Sequence, residues 1–399
     1  MPKISERGLR MPASPIRRLV PYAEAAKSSG TVVYHLNIGQ PDIATAPAFW
    51  DGIAGYREKV LSYSHSAGLA SYRQAYAQQL NQKGYGLSAD DVLISTGGSE
   101  ALVMAMMACF DPGDEILIPE PFYANYNGFA AMGGVVLRPF TTLIEENFAL
   151  PAVEDLAGAV GPKTRAIMIC NPNNPTGTLY TRQELAGLAA LAKAHDLFLI
   201  ADEVYREFVY DGLEHDSILS LEGMEEHAVV VESTSKMYSA CGARIGALIT
   251  RNRELMGTVL KYAQARLSPP TLDQAGALSA LLHTGRDYFD GVRSEYVARR
   301  NTMVQALNAL PGVQCPLPGG AFYAVARLPI DDSDAFCQWM LEHHRHEGAT
   351  VMMAPATGFY ATPGLGKQEV RLAYVLDQES LVRAMDCLAT GLVAYHARG

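Results

Sequence analysis

Seven short apolar runs, at 92–95, 115–118, 135–138, 166–170, 198–201, 228–231 and 245–250, punctuate the middle of the chain, and no other feature restricts its fold as much. Each has the length of a buried strand and is too short for a helix, while stretches between them, such as 101–110 and 184–195, carry helical periodicity. Strands that alternate with helical crossovers pair in parallel, because each crossover returns the chain to the same end of the sheet. The expected fold is α/β: a large domain with a mostly parallel seven-stranded sheet between helices. Towards the C-terminus the pattern changes to strand-like segments at 321–327 and 370–375 and helical ones at 334–347 and 378–395. These predict a smaller α+β domain. The expected divisions are 1–45 as an N-terminal arm and part of the small domain, 46–310 as the large domain, and 311–399 as the C-terminal small domain.

Five polar motifs each follow one of these runs directly: Thr96-Gly97-Gly98-Ser99, Pro119-Glu120-Pro121-Phe122-Tyr123, Asn171-Pro172-Asn173-Asn174-Pro175-Thr176-Gly177, Asp202-Glu203-Val204-Tyr205 and Ser233-Thr234-Ser235-Lys236. If the runs are parallel strands, all five motifs meet at the carboxyl edge of one sheet, where open α/β sheets bind their ligands. Their chemistry is complementary. Lys236, with Arg244 eight residues on, can form an imine once burial or nearby cations lower its pKa from the ordinary ~10.4. Asp202 can keep a pyridine nitrogen protonated, so that the ring draws electrons from a substrate α-carbon. Tyr205 and Asn174 can hydrogen-bond the phenolic oxygen of such a ring, and Tyr123 can stack on it. A phosphate would be held by Gly98 and Ser99 at a helix start, by Ser233 and Ser235, and by Arg244. Together these residues describe a site for pyridoxal 5'-phosphate, with Lys236, Asp202 and Tyr205 as its catalytic members.

Each residue has a plainer reading on its own. Lys236 reads as an exposed loop lysine, Asp202 as a helix N-cap, Asn174 as a turn residue, the glycine pair as an ordinary strand-to-helix turn and Tyr123 as a core aromatic. Arg371 reads either as a surface strand arginine or as a clamp for an α-carboxylate. His343-His344-Arg345-His346 reads as a solvated helix face rather than a metal tract, and no metal site is expected.

In order and spacing these motifs resemble the class I/II aminotransferases, fold type I of the pyridoxal-phosphate enzymes. The resemblance runs from Leu36 to Val375 and includes Asn37-Ile38-Gly39-Gln40-Pro41-Asp42 and Tyr63-Ser64-His65-Ser66-Ala67-Gly68. It implies a homodimer with shared active sites, in which Tyr63 reaches the phosphate bound by the neighbouring subunit. It also implies that Gly39 offers its N–H to the substrate carboxylate, with Asn174 and Arg371 beside it. Gln40 departs from the acidic residue common in the family, and Tyr123 stands where many members carry tryptophan or phenylalanine. The activity implied is transfer of an amino group from an L-amino acid to a 2-oxo acid in two half-reactions. A carbon–sulfur lyase or γ-elimination synthase would use the same residues. A non-catalytic sensor would need a DNA-binding domain ahead of Leu36, for which the preceding 35 residues are too few.

The rest of the composition removes other partners. The chain of 399 residues carries a net charge of -10, which argues against a nucleic-acid partner. The stretch 101–110, among its most apolar, falls short of the ~20 residues that span a bilayer, so a soluble protein is expected. The first thirty residues lack the apolar core of a signal peptide, and the six cysteines are scattered. Both point to a cytoplasmic protein with reduced thiols. The amino donor is left open, with aspartate or glutamate and 2-oxoglutarate as the first expectation. Arg266 is a candidate cation for a second carboxylate, and Phe359 and Tyr360 are candidates for apolar side chains.

Overall fold

The structure is a computed structural model that describes residues 2–398. Its strands, in chain order, are β1 (Val32–His35), β2 (Val92–Ser95), β3 (Glu115–Glu120), β4 (Val136–Thr141), β5 (Thr164–Cys170) and β6 (Phe198–Asp202). They continue with β7 (Ala228–Ser233), β8 (Gly246–Ile249), β9 (Tyr323–Arg327), β10 (Ala349–Met352), β11 (Ala354–Pro355) and β12 (Glu369–Ala373). Seven of them form one sheet in the order β2-β8-β7-β6-β5-β3-β4. All point the same way except β8, which is antiparallel to both β2 and β7. The expected α/β sheet is present, with all seven apolar runs as its strands.

Burial explains why those runs were legible. Helices cover both faces of the sheet, so β2, β6 and β7 are apolar on consecutive residues instead of alternating. Val229, Val230 and Val231 are completely buried, each stabilising the fold by roughly 1.5–3 kcal/mol. The edge strand β4 is half exposed and carries Pro139, which an edge tolerates because no ladder bond is lost on its open side. A short helix (Thr234–Met237) and a turn through Arg244, at φ 54°, bring the chain back from β7 into β8. The loops after β2, β3, β5, β6 and β7 therefore share one edge.

Two smaller sheets lie in the remaining chain. Strand β1 pairs in parallel with β10, joining the N-terminal segment to the C-terminal part. Strand β12 lies between β11 and β9, antiparallel to both. The helix expected at 334–347 is Ser333–Glu342, shorter than its pattern. The histidine tract is consequently not a helix face: His344 turns inward, stacks on Trp339 and meets the Thr390 hydroxyl at 3.0 Å.

Candidate active site

At the carboxyl edge of the sheet lies a cavity of about 380 Å3. All five motifs contribute to its wall through Gly98, Ser99, Tyr123, Asn174, Asp202, Tyr205, Ser233, Ser235 and Lys236, and Gly39, Arg244 and Arg371 line it as well. Of the residues expected to hold the cofactor, Tyr63 alone is outside the cavity, 79% exposed on the surface.

Lys236 stands on the short helix that begins where β7 ends, capped by Ser233, whose hydroxyl accepts from the Ser235 N–H at 3.1 Å. It is not an exposed loop lysine. Its Nζ donates to the Gly39 carbonyl at 2.7 Å and lies 3.6 Å from Cys241 Sγ. Burial lowers its pKa; the Cys241 thiol opposes that shift, and the charges of Arg244 and Arg371 add to it. The net direction is the one a nucleophilic amine needs.

Asp202 is the last residue of β6. The chain after it turns without forming a helix, so the N-cap reading fails. Its carboxylate accepts from the Tyr126 hydroxyl at 2.7 Å and the Val204 N–H at 3.4 Å. Burial nevertheless raises its pKa from 3.8 to about 6, against the pull of those donors. A cationic ring nitrogen beside it would reverse that shift.

A second network joins the strands of the large and small sheets. Asn174 Nδ2 donates to the Tyr205 hydroxyl at 3.5 Å, and its Oδ1 accepts from Arg371 Nη1 at 3.2 Å. The Tyr205 and Tyr323 hydroxyls are 3.0 Å apart. Arg371 is only 1% exposed, far from a surface arginine. Its guanidinium lies between the rings of Tyr323 and Phe359, at 4.7 and 4.9 Å, and also donates to the Asn37 carbonyl. Its Nε is buried without a partner, and no carboxylate among the described residues pairs with it. An unpaired charge at that depth is costly, and an incoming carboxylate would offset the cost.

The donors at the other end fit a phosphate. The helix Gly97–Cys109 begins with Gly97 at φ 76°, and a Cβ there would come within 2.4 Å of Arg244 Nη2. The guanidinium thus covers a turn that only glycine can make, beside first-turn N–H groups that lack intrahelical partners. Arg244 Nη1 lies 3.5 Å from the Ser235 hydroxyl, which accepts from Ser233 at 2.8 Å. A dianionic phosphate matches this cluster of hydroxyls, N–H groups and one guanidinium.

Several residues of the site carry no expectation from the sequence. Tyr126, in the first turn of the helix Asn125–Gly133, lies behind the cavity wall and acts on it through Asp202. Tyr323 and the N-terminal Ser14, Ile16 and Arg17 carry no local signal, whereas Cys241 lies in sequence between Lys236 and Arg244. Two expected substrate contacts are engaged elsewhere: Arg266 pairs with Glu100 at 3.1 Å, and the Tyr360 hydroxyl donates to Glu369 at 2.6 Å. Phe359 serves as a floor for Arg371.

The family model described as aminotransferase class I and II matches residues 31–388. The chain belongs to that family. This aminotransferase is 34% identical to the putative aminotransferase YugH of Bacillus subtilis, over 88% of its own length and 90% of the relative's. It is 30% identical to an aspartate aminotransferase of Musicola paradisiaca, over 100% and 98% of the two chains. An alanine aminotransferase of Pyrococcus furiosus superposes with a TM-score of 0.90 at 29% identity, covering 98% of this chain and 100% of the other. The family depends on pyridoxal phosphate and acts on amino acids and 2-oxo acids. Because these relatives are named aminotransferases, the elimination chemistry is not favoured.

Proposed function

We propose that this aminotransferase binds pyridoxal 5'-phosphate in the cavity at the sheet edge and transfers an amino group from an L-amino acid to a 2-oxo acid with Lys236 as its acid–base residue. One observation carries the reading: a half-buried amine of lowered pKa, a buried carboxylate and a buried guanidinium with no carboxylate partner face the same 380 Å3 space. When bound, the cofactor supplies an aldehyde and an electron-accepting ring.

The chain's own residues do the rest. Asp202 holds the ring nitrogen protonated, and Tyr126 fixes the carboxylate that does so. Asn174 and Tyr205 hold the phenolic oxygen, Tyr123 covers the ring, and Gly98, Ser99, Ser233, Ser235 and Arg244 hold the phosphate. Arg371, backed by Asn174 and the Gly39 segment, fixes the substrate's α-carboxylate and so aims the α-hydrogen at Lys236. Lys236 Nζ takes that proton as a base and, as an ammonium, would deliver it to the cofactor's aldehyde carbon rather than back to the α-carbon. We also propose a homodimer in which Tyr63 completes the neighbouring site. None of the six cysteines is paired, which supports a reducing, cytoplasmic setting. No helix among the described residues is long and apolar enough to cross a membrane.

The test is the Lys236→Ala variant. Turnover is expected to fall at least ~10²–10⁴-fold, the usual contribution of a positioned acid–base group. Borohydride treatment of the yellow wild-type holoenzyme should fix the cofactor on Lys236, as a mapped peptide would reveal. Near-normal turnover in the variant, or an adduct on another lysine, would remove the assignment.

A further inference from the structure

The cavity carries one more positive charge than the cofactor and an α-carboxylate require. Its lining holds four cations, Arg17, Lys236, Arg244 and Arg371, against a single carboxylate, Asp202. With the cavity read as the cofactor site, on which this inference rests, Arg244 answers the phosphate, Arg371 the α-carboxylate, and Lys236 is the reacting amine. Arg17 is left over.

Its backbone is firmly placed. Asn37, whose carbonyl receives Arg371, donates through Nδ2 to the Ile16 carbonyl at 3.3 Å. Ile16 packs against the apolar cluster of Ala124, Ala354, Ala356 and Phe359, the last of which floors Arg371. Pro15 lies against Gly358, where a Cβ would meet it at 2.3 Å. The segment is thus pinned to the same residues that pin the carboxylate clamp. The neighbouring Arg18 is engaged with Asp334. Arg17 is a solvent-exposed residue of the cavity's rim, and its guanidinium has no hydrogen bond or ion pair among the described residues. It is close enough to Tyr123 that its charge, like that of Arg371, opposes the rise that burial imposes on that hydroxyl's pKa. Arg266, the other candidate, is committed to Glu100.

We propose that Arg17 is the specificity-determining residue of this site and binds the distal carboxylate of a dicarboxylic amino acid or 2-oxo acid, so that acidic substrates are held between Arg17 and Arg371. A planar guanidinium can meet that carboxylate with two parallel hydrogen bonds.

The experiment compares wild-type holoenzyme with Arg17→Gln and Arg17→Lys. In Arg17→Gln the ratio of kcat/KM for aspartate or glutamate to that for alanine is expected to fall about 10- to 100-fold, the loss of a charge-assisted hydrogen bond. Arg17→Lys should recover part of that ratio. A second readout needs no turnover: calorimetric binding of glutarate should weaken by a similar factor relative to butyrate, which lacks the second carboxylate. Two outcomes overturn the inference while leaving the aminotransferase assignment intact. One is a wild type that prefers alanine to both acidic donors; the other is a variant in which the two ratios do not change. A wild type that takes up no cofactor and turns over no donor overturns the cofactor reading, and this inference with it.

Discussion

At Asp202 burial and hydrogen bonding pull in opposite directions, and burial wins. The carboxyl therefore keeps its proton to about pH 6 in the cofactor-free protein, although its ordinary value is 3.8. The native state then binds more protons than the unfolded chain between those values, so this group's stabilising effect shrinks as pH rises through the window. From pH 4.5 to 7 the loss is about 2 kcal/mol. Asp202→Asn cannot ionise and should escape it. Urea unfolding of both cofactor-free proteins at the two pH values isolates the effect, because Glu203, pushed up to about 8, and Glu232, also raised by burial, titrate in both. A wild-type-minus-variant difference that stays constant with pH would show that Asp202 ionises like an exposed carboxylate. Adding the cofactor should abolish the Asp202 share of the wild-type slope, since a cationic ring nitrogen restores the charged form.

Among the elements, the junction of β8 with the helix Gly97–Cys109 is the tightest support of the phosphate donors. A Cβ on Gly246 would stand 2.5 Å from both the Gly97 carbonyl carbon and the Gly98 nitrogen, and backbone cannot yield as a side chain can. Gly246→Ala should cost about 1–3 kcal/mol by overpacking and weaken cofactor binding, because the wedge tilts the helix start. By contrast, a Cβ on Gly98 meets nothing nearer than 3.5 Å, so Gly98→Ala should unfold at nearly the wild-type urea concentration. Equal unfolding midpoints for the two variants would refute this account. The same edge explains what could be read in advance. Strands buried on both faces announce themselves as apolar runs, and a motif at a strand's end is local in sequence. Strands β6 and β7 outrun the apolar runs at 198–201 and 228–231 because Asp202 and the Glu232-Ser233 pair, polar in type, are still strand residues. Partners brought from afar stayed hidden: the Arg371 bond to Asn37 spans 334 residues, and nothing near either one signals it. Tyr323 is concealed in the same way, although its fit is tight enough that a Cβ on Gly39 would overlap its hydroxyl at 1.7 Å.

The molecule as a whole exposes apolar side chains on the segment that carries Tyr63, the one predicted cofactor contact that its own cavity lacks. Trp50, Val60, Leu61, Tyr63 and Leu267 are each more than half exposed, large apolar side chains of the kind an interface covers. The loop carrying Tyr63 is held in place, since the Thr271 hydroxyl donates to the Ser62 carbonyl at 3.0 Å. A rigid loop with apolar residues facing outward fits a two-fold interface, where each chain lends Tyr63 to the other's phosphate site. Complementation follows from that geometry. Lys236→Ala dimers lack the acid–base amine in both sites, and Tyr63→Ala dimers lack the borrowed hydroxyl in both. A mixed dimer has one site with both defects and one with neither. Heterodimers isolated through two different tags should therefore show about half the wild-type activity, although each parent dimer is impaired. If Tyr63 served its own chain's site, the mixed dimer would hold one defect in each site, and its activity would be no more than the mean of its parents.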